Sequence, residues 1–275
     1  MMDRVTSLKN PRVKHAVRLR DRRDRDREGL MIIEGYRPLL RAVENGYPVQ
    51  EVFFCEELFQ GGNEEALIER LAEAGAERVP VSAAVLSKMA YRDRPEGLVA
   101  VAPQRRRHIA ELDLPDTPFL LVAEAIEKPG NLGTMLRSAD AAGVDALILC
   151  DRCTDLFNPN VVRASIGTLF TVPVAEGTSD EVLRWLRDKG IALLAATPHT
   201  DSVYTEVDLT GPVAITVGTE QYGLSDRWMA QADLKVKIPM FGQADSLNVA
   251  TATTLFLFEA VRQRMPNGNN QGANR

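Results

Sequence analysis

Apolar positions along the chain follow two rhythms. One is helical spacing, with apolar residues three and four apart. The other is a short, nearly continuous run of the kind found in buried strands. In the first hundred residues the spacing predicts a helix over residues 4–28 with a charged exposed face. A buried strand at Leu30–Ile33 follows, and Glu34-Gly35 turns the chain into a helix from Arg37 to Asn45 closed by Gly46. Val52–Phe54 reads as a strand. Glu64–Ala74 reads as a helix, with Leu67, Ile68 and Leu71 on one face and Gly75 as its stop. Strands at 79–81 and 97–102 complete a small α/β unit.

From Pro118 on, strand and helix alternate. Strands are predicted at 119–123, 144–149, 171–174, 191–195, 213–217 and 235–238. Helices are predicted at 132–142, 159–168, 179–189, 225–231 and 248–264. Runs such as Ala146–Leu149 and Val213–Val217 have no polar alternation, as expected of a parallel sheet covered on both faces. The expected class is therefore α/β. The expected organisation is a first domain over 1–103, a charged and proline-bearing linker over 104–117, a second domain over 118–265, and a disordered Asn/Gly/Gln-rich tail over 266–275.

Composition changes this picture in one respect. The 275 residues are 45% hydrophobic and 26% charged with a net charge of -5, an ordinary globular balance. Yet residues 1–27 carry ten Lys/Arg against four Asp, and a second basic run is Arg105-Arg106-Arg107-His108. Such blocks point to a polyanionic partner; a solvated, salt-bridged helix face explains the Asp/Arg alternation at 21–27 equally well. Three cysteines suit a reducing compartment. Cys150-Asp-Arg-Cys153 lacks a second ligand pair, so no metal site is expected. No apolar run reaches membrane-spanning length and no apolar segment follows the basic N-terminus, which together predict a cytoplasmic protein.

Candidate chemistry lies in three loops, each after an apolar strand: Asn131 to Arg137, Gly218 to Gly223, and Ile238 to Val249. In an open α/β sheet the carboxyl ends of strands are where ligands bind. The phosphate-loop, dinucleotide and nucleophile-elbow patterns are all absent. Taken singly, Asn131, Glu220, Ser246 and Asn248 each read as helix-capping groups. Taken together, three polar loops without a phosphate pattern fit a neutral or cationic adenosyl ligand held by backbone groups. Arg137, on a small and mostly apolar helix, is either paired or placed to hold a phosphate.

Asn131-x-Gly133-x-x-x-Arg137, Gly218-x-Glu220-x-x-Gly223 and Ile238-Pro-Met240…Ser246-Leu-Asn-Val249 resemble, in order and spacing, the three motifs of the SpoU (TrmH-type) RNA 2′-O-ribose methyltransferases of the SPOUT superfamily. The match covers about residues 118–264. Residues 5–102, with Ile33-Glu34-Gly35, look like the small substrate-binding domain that often precedes that catalytic domain and resembles a ribosomal RNA-binding protein. The resemblance implies a deep trefoil knot, a feature almost absent from other folds. It implies S-adenosylmethionine bent into the knot, held near Gly218, Ile238 and Leu247 with Thr219, Met240 and Val249 beside them. It also implies a homodimer.

By the same resemblance the catalytic set is Asn131, Arg137, Glu220, Ser246 and Asn248. The family assigns the base to the first-motif arginine. A guanidinium stays protonated in proteins, so Arg137 suits charge stabilisation or phosphate holding better. Arg163 is a further candidate for RNA phosphate, and Arg18, Arg20, Arg22 and Arg23 for more distant RNA contact. A preceding RNA-binding domain resembles the arrangement in enzymes acting on 23S ribosomal RNA; transfer RNA as substrate and an inactive RNA-binding module are the alternatives. Neutralising Arg18, Arg20, Arg22 and Arg23 together is expected to weaken RNA binding and to flatten its salt dependence, measured by titration at several ionic strengths.

Overall fold

The computed structural model describes residues 3–265, so the tail from Pro266 lies outside the described residues. The chain forms two compact units. One comprises residues up to Arg106 together with Lys128–Arg137 and Thr154–Thr171. The other comprises Arg107–Glu127, Ser138–Cys153 and the chain from Val172.

In the first unit the N-terminal basic segment is two helices, not the continuous one expected over 4–28. Val5 instead pairs with Val81. Asn10 caps α1 (Pro11–Arg18) by accepting from the Arg12 N–H, with Pro11 at its first position. Asp21 caps α2 (Arg22–Glu28), and Gly29 ends it in the left-handed region at φ 63°. The break falls at Asp21, whose backbone is extended and whose side chain accepts from the Arg23 N–H at 2.8 Å. Arg25 braces it: its Nη1 donates to the carbonyls of Leu19 (2.9 Å) and Arg20 (2.7 Å). Its Nη2 donates to Asp155 Oδ2 at 2.6 Å, and both side chains are buried.

The unit continues with β1 (Leu30–Glu34), α3 (Tyr36–Glu44), β2 (Glu51–Phe54), α4 (Glu64–Glu73), β3 (Glu77–Pro80), α5 (Ala83–Met89) and β4 (Leu98–Pro103). The expected elements lacked α5, although Ser82 caps it by accepting from the Val85 N–H. The sheet runs β1-β4-β2-β3, antiparallel except between β2 and β3. Its core is built from Val13, Leu19, Ile32, Phe53, Leu86 and Val99.

The second unit is built on six parallel strands. In chain order they are β5 (Phe119–Glu124), β6 (Ala146–Cys150), β7 (Val174–Gly177), β8 (Ala192–Ala196), β9 (Val213–Val217) and β10 (Leu234–Val236). Their spatial order is β10-β8-β9-β5-β6-β7. The central strands are buried at every position, as their nearly continuous apolar runs suit. Among the described residues from Arg107 on, the α-helices are α6 (Pro129–Ala142), α7 (Pro159–Ala164), α8 (Ser179–Asp188), α9 (Asp226–Gln231) and α10 (Val249–Arg264). Of these, α7 belongs wholly to the first unit and packs on β1, while α6 begins in the first unit and ends in the second.

Two expected elements moved. Residues 165–168 leave the helical path because Ile166 and Gly167 take φ of 53° and 83°, so α7 stops at Ala164. The strand expected at 171–174 lies instead at Val174–Gly177, where it pairs with β6. Cys150 is buried, and burial raises its thiol well above the ordinary range, so it is a core residue; Cys153 is exposed. No cluster of His, Cys, Asp and Glu able to hold a metal ion occurs among the described residues. No described helix is long and apolar enough to cross a membrane.

The Arg25–Asp155 pair yields the first structural prediction. Arg25→Ala is expected to lower stability by about 3–5 kcal/mol, because it strands a buried carboxylate. Arg25→Met with Asp155→Leu is expected to recover most of that loss. Urea unfolding of the three proteins measures both.

Candidate functional site

The second unit supplies two of the three loops, both leaving the carboxyl edge of the parallel sheet. After β9 the chain makes a tight turn. Thr219 and Gly223 exchange backbone hydrogen bonds of 2.9 and 3.0 Å, and the Thr219 hydroxyl accepts from the Tyr222 N–H at 3.0 Å. Gly218 cannot be another residue here, since a Cβ would lie 2.1 Å from the Gly223 carbonyl oxygen and 2.4 Å from the Leu224 nitrogen. The turn carries Glu220 and Tyr222 outward into exposed positions. Glu220 does not cap the following helix: α9 begins at Asp226, and Ser225 precedes it.

Ser225 is itself held by Glu124, the last residue of β5. The Glu124 carboxylate is buried and accepts from the Ser225 N–H at 2.8 Å and from its hydroxyl at 2.6 Å. Sequence reasoning missed this residue. A carboxylate closing an otherwise apolar strand was the available signal.

The third loop runs from Ile238 to Leu247 without regular structure. Met240, Ser246 and Leu247 are exposed, and Ile238 is half-buried. Asn248 caps α10, accepting from the N–H groups of Ala250 (3.0 Å) and Thr251 (3.4 Å), and Val249 opens the helix. The capping role read for this residue is thus present in the fold, and it fixes where the loop meets the helix. A hydrogen bond of 2.7 Å between Ser138 and Thr254 ties the end of α6 to α10.

The first unit holds the first motif. Asn131 lies within the first turn of α6, since the helix starts at Pro129, so it is not the cap. Gly133 lets α6 approach α7: a Cβ there would stand 2.4 Å from the Ala164 Cβ and 2.9 Å from the Ser165 nitrogen. That approach brings Arg137 and Arg163 to one cavity of 710 Å³, which Ile166 also lines. Ile166 is a β-branched residue in the left-handed region, where such side chains are rare outliers. Its carbonyl accepts from the Arg41 guanidinium, which helps hold that conformation. Strain of this kind concentrates at binding and catalytic positions.

Arg18, Arg20, Arg22 and Arg23 are exposed, although Arg22 pairs with Asp26 and Arg20 donates to the Lys88 carbonyl; other cations of the segment also make ion pairs. Arg12 pairs with Glu51 and Glu77, Arg4 with Glu57, and Arg27 with Asp24 and Glu28. The cavity also takes three residues that sequence reasoning passed over, Tyr91, Arg92 and Arg94. Their signal was an Arg-x-Arg pair before Pro95 in a stretch without apolar rhythm.

The sequence model of the SpoU rRNA Methylase family matches residues 118–258, and an MRM3-like substrate binding domain matches residues 10–100. The chain is 32% identical over 256 residues to the 23S rRNA (uridine(2479)-2′-O)-methyltransferase of Streptomyces viridochromogenes, covering 90% of this chain and 88% of that protein. It is 29% identical to a 23S rRNA (guanosine(2553)-2′-O)-methyltransferase of Bacillus subtilis, covering 94% and 98%. Among solved structures, an RNA 2′-O ribose methyltransferase superposes with a TM-score of 0.84 at 40% identity, covering 95% of this chain and 99% of that one. An AdoMet-bound rRNA methyltransferase from Sinorhizobium meliloti superposes with a TM-score of 0.88 at 30% identity, covering 96% and 99%. With its motifs, its parallel sheet and matches of this extent, the chain belongs to the SpoU rRNA methylase family.

Proposed function

We propose that this protein transfers a methyl group from S-adenosylmethionine to a ribose 2′-hydroxyl of 23S ribosomal RNA. The observation that carries the reading is the pair Arg137 and Arg163 facing one cavity, on a chain whose relatives over nearly their full length are named for that reaction.

The donor set fits the cofactor. Residues 218–223 and 238–248 carry the carboxylates Glu220 and Asp245 and no Lys or Arg, which suits a cationic sulfonium ligand and not a phosphorylated one. Exposed Met240 and Leu247 offer apolar surface to a purine, and the backbone about Gly218, Thr219, Ile238 and Val249 offers hydrogen bonds. When bound, the cofactor supplies an electrophilic methyl group and a thioether leaving group.

The chain's own part is alignment and charge. Holding the ribose oxygen in line accounts for several kcal/mol of barrier. Arg137 stabilises the oxyanion that develops as the 2′-hydroxyl loses its proton, or holds the adjoining phosphate that receives it. Arg163 grips a neighbouring phosphate in the same cavity. Asn131 orients Arg137, Glu220 is a carboxylate of the catalytic set on the turn after β9, and Ser246 and Asn248 shape the cofactor loop. The same reading takes the passage from β10 to α10 as the knotted crossing: β10 lies at the sheet edge, while α10 packs on β9 inside it.

A homodimer through the second unit belongs to the proposal. Its support is α10, which buries Phe256 and Leu257 yet leaves Leu255 38% and Phe258 45% exposed. A helix that closed a monomer would carry polar residues there.

Three outcomes are expected. Total RNA from cells lacking the gene loses one 2′-O-methyl group in 23S rRNA, found by mapping; an unchanged map would exclude that substrate. Arg137→Ala abolishes turnover with S-adenosylmethionine affinity intact by calorimetry, whereas Asn248→Ala weakens cofactor binding and lowers stability by about 1 kcal/mol through its lost cap. Phe258→Arg shifts the protein from dimer to monomer in sedimentation, and a wild-type monomer would remove the dimer from the reading.

A further inference from the structure

The motif Ile33-Glu34-Gly35 has a structural partner far along the sequence. Glu34 ends β1 and is only 6% exposed. A carboxylate so placed is costly unless its oxygens are satisfied. Its Oε2 accepts from the Tyr91 N–H at 2.7 Å, and its Oε1 accepts from the Arg92 N–H at 3.4 Å. Two oxygens on two consecutive amides fix the backbone at the start of the loop between α5 and β4. The loop's far end is fixed by an ion pair between Arg92 and Glu96. Gly35, at φ 94°, makes room for that pair, since a Cβ there would lie 2.8 Å from Glu96 Oε2.

From this anchored loop a line of contacts leads to the cavity. Tyr91 accepts through its hydroxyl from Asn160 Nδ2 at 2.9 Å, and Asn160 Oδ1 accepts from Arg163 Nη2 at 3.1 Å. The Arg20 guanidinium stands 5.6 Å from the centre of the Tyr91 ring. The cavity thus gathers four guanidiniums, from Arg92, Arg94, Arg137 and Arg163, against the carboxylates of Asp93 and Glu96. Arg92 Nε is buried and has no hydrogen-bond partner among the described residues. A donor left unmade in a cavity of cations is what a phosphate oxygen would satisfy.

We propose that the loop Tyr91–Arg94 is a phosphodiester-holding loop. Arg92 and Arg94 grip RNA phosphates flanking the target ribose, and Glu34 is the positioning residue that holds them facing Arg137 and Arg163. The inference rests on the reading of the protein as an RNA methyltransferase and adds to it the source of the substrate's register: base-independent contacts fix position, leaving sequence to be read elsewhere.

The test uses the full chain and unmodified 23S rRNA transcribed in vitro. Binding is measured from about 50 to 200 mM salt for wild type, for Arg92→Ala/Arg94→Ala and for Arg92→Lys/Arg94→Lys. The affinity that wild type loses over that range is expected to shrink by about five- to tenfold in the alanine variant, the amount two lost phosphate contacts would remove. The lysine variant keeps the salt dependence. Glu34→Gln, which keeps shape but loses the charge that draws both amides, is expected to raise KM for RNA with kcat and S-adenosylmethionine affinity unchanged. Should loss of the Arg92–Glu96 pair unfold the double variant, the exposed Arg94→Ala alone is expected to give about half the logarithmic change in salt dependence. Unchanged salt dependence and KM in folded variants would overturn the proposal. So would a parallel loss of cofactor affinity, which marks a structural role. Failure of the underlying reading looks different: wild type would bind RNA yet transfer no methyl group to the transcript.

Discussion

The guanidinium of Arg25 is 1% exposed and spends every direction of its planar fork on the chain itself. One edge donates to the carbonyls of Leu19 and Arg20, just past the end of α1; the other reaches Asp155, 130 positions further on. Bringing two ions out of water costs several kcal/mol each, offset only where the geometry is good and the remaining hydrogen bonds are made. Here they are: Asp155 Oδ1 also accepts from the Phe157 N–H at 3.1 Å, at the start of the turn that leads into α7. The pair therefore braces the break between two helices and holds the segment 154–171, and through α7 the place of Arg163. A hydrophobic replacement could supply comparable stability, but not the same directional demand on both ends at once.

Glycines act as the complementary constraint, by absence of a side chain. At Gly133 a pair of helices comes within a distance no Cβ would allow, and Arg137 follows one turn later on the same helix. At Gly167 a Cβ would meet the Pro38 Cα at 2.6 Å, so the strained turn at Ile166 is packed directly on α3. At Gly218 the turn closes on its own backbone. Positive fixation by charge and negative fixation by missing atoms thus share the work of placing a few exposed polar groups.

Much of this was legible in the residues. The parallel sheet follows from nearly continuous apolar runs such as Leu120–Ala123 and Val213–Val217, because a strand covered on both faces has no polar side to show. The loops at strand ends were legible from Gly218, Gly223 and Asn248, whose types are tied to turns and caps. The basic segment was not legible, because Arg25 and Arg23 look alike in sequence and only their partners distinguish a buried cation from a solvated one. For the same reason α5 was passed over, its three core residues Val85, Leu86 and Met89 being too few to make a period. Glu34 was legible within Ile33-Glu34-Gly35, but neither Tyr91–Arg94 nor its tie to Glu34 was, since a hydrogen bond between a strand end and a loop 57 positions away leaves no local mark.

The path of the chain through the first unit has a consequence for how the protein is divided. Matching by sequence suggests a clean cut between residues 100 and 118. The segment bearing Asp155 and α7 nevertheless shares its core with β1 and its charge with α2. A fragment beginning at Pro118 would carry a carboxylate without its cation and an apolar helix face without its strand. Recombination between relatives at that seam would therefore have to exchange both partners of the pair together, which makes the two halves inherit as one unit and not as interchangeable modules.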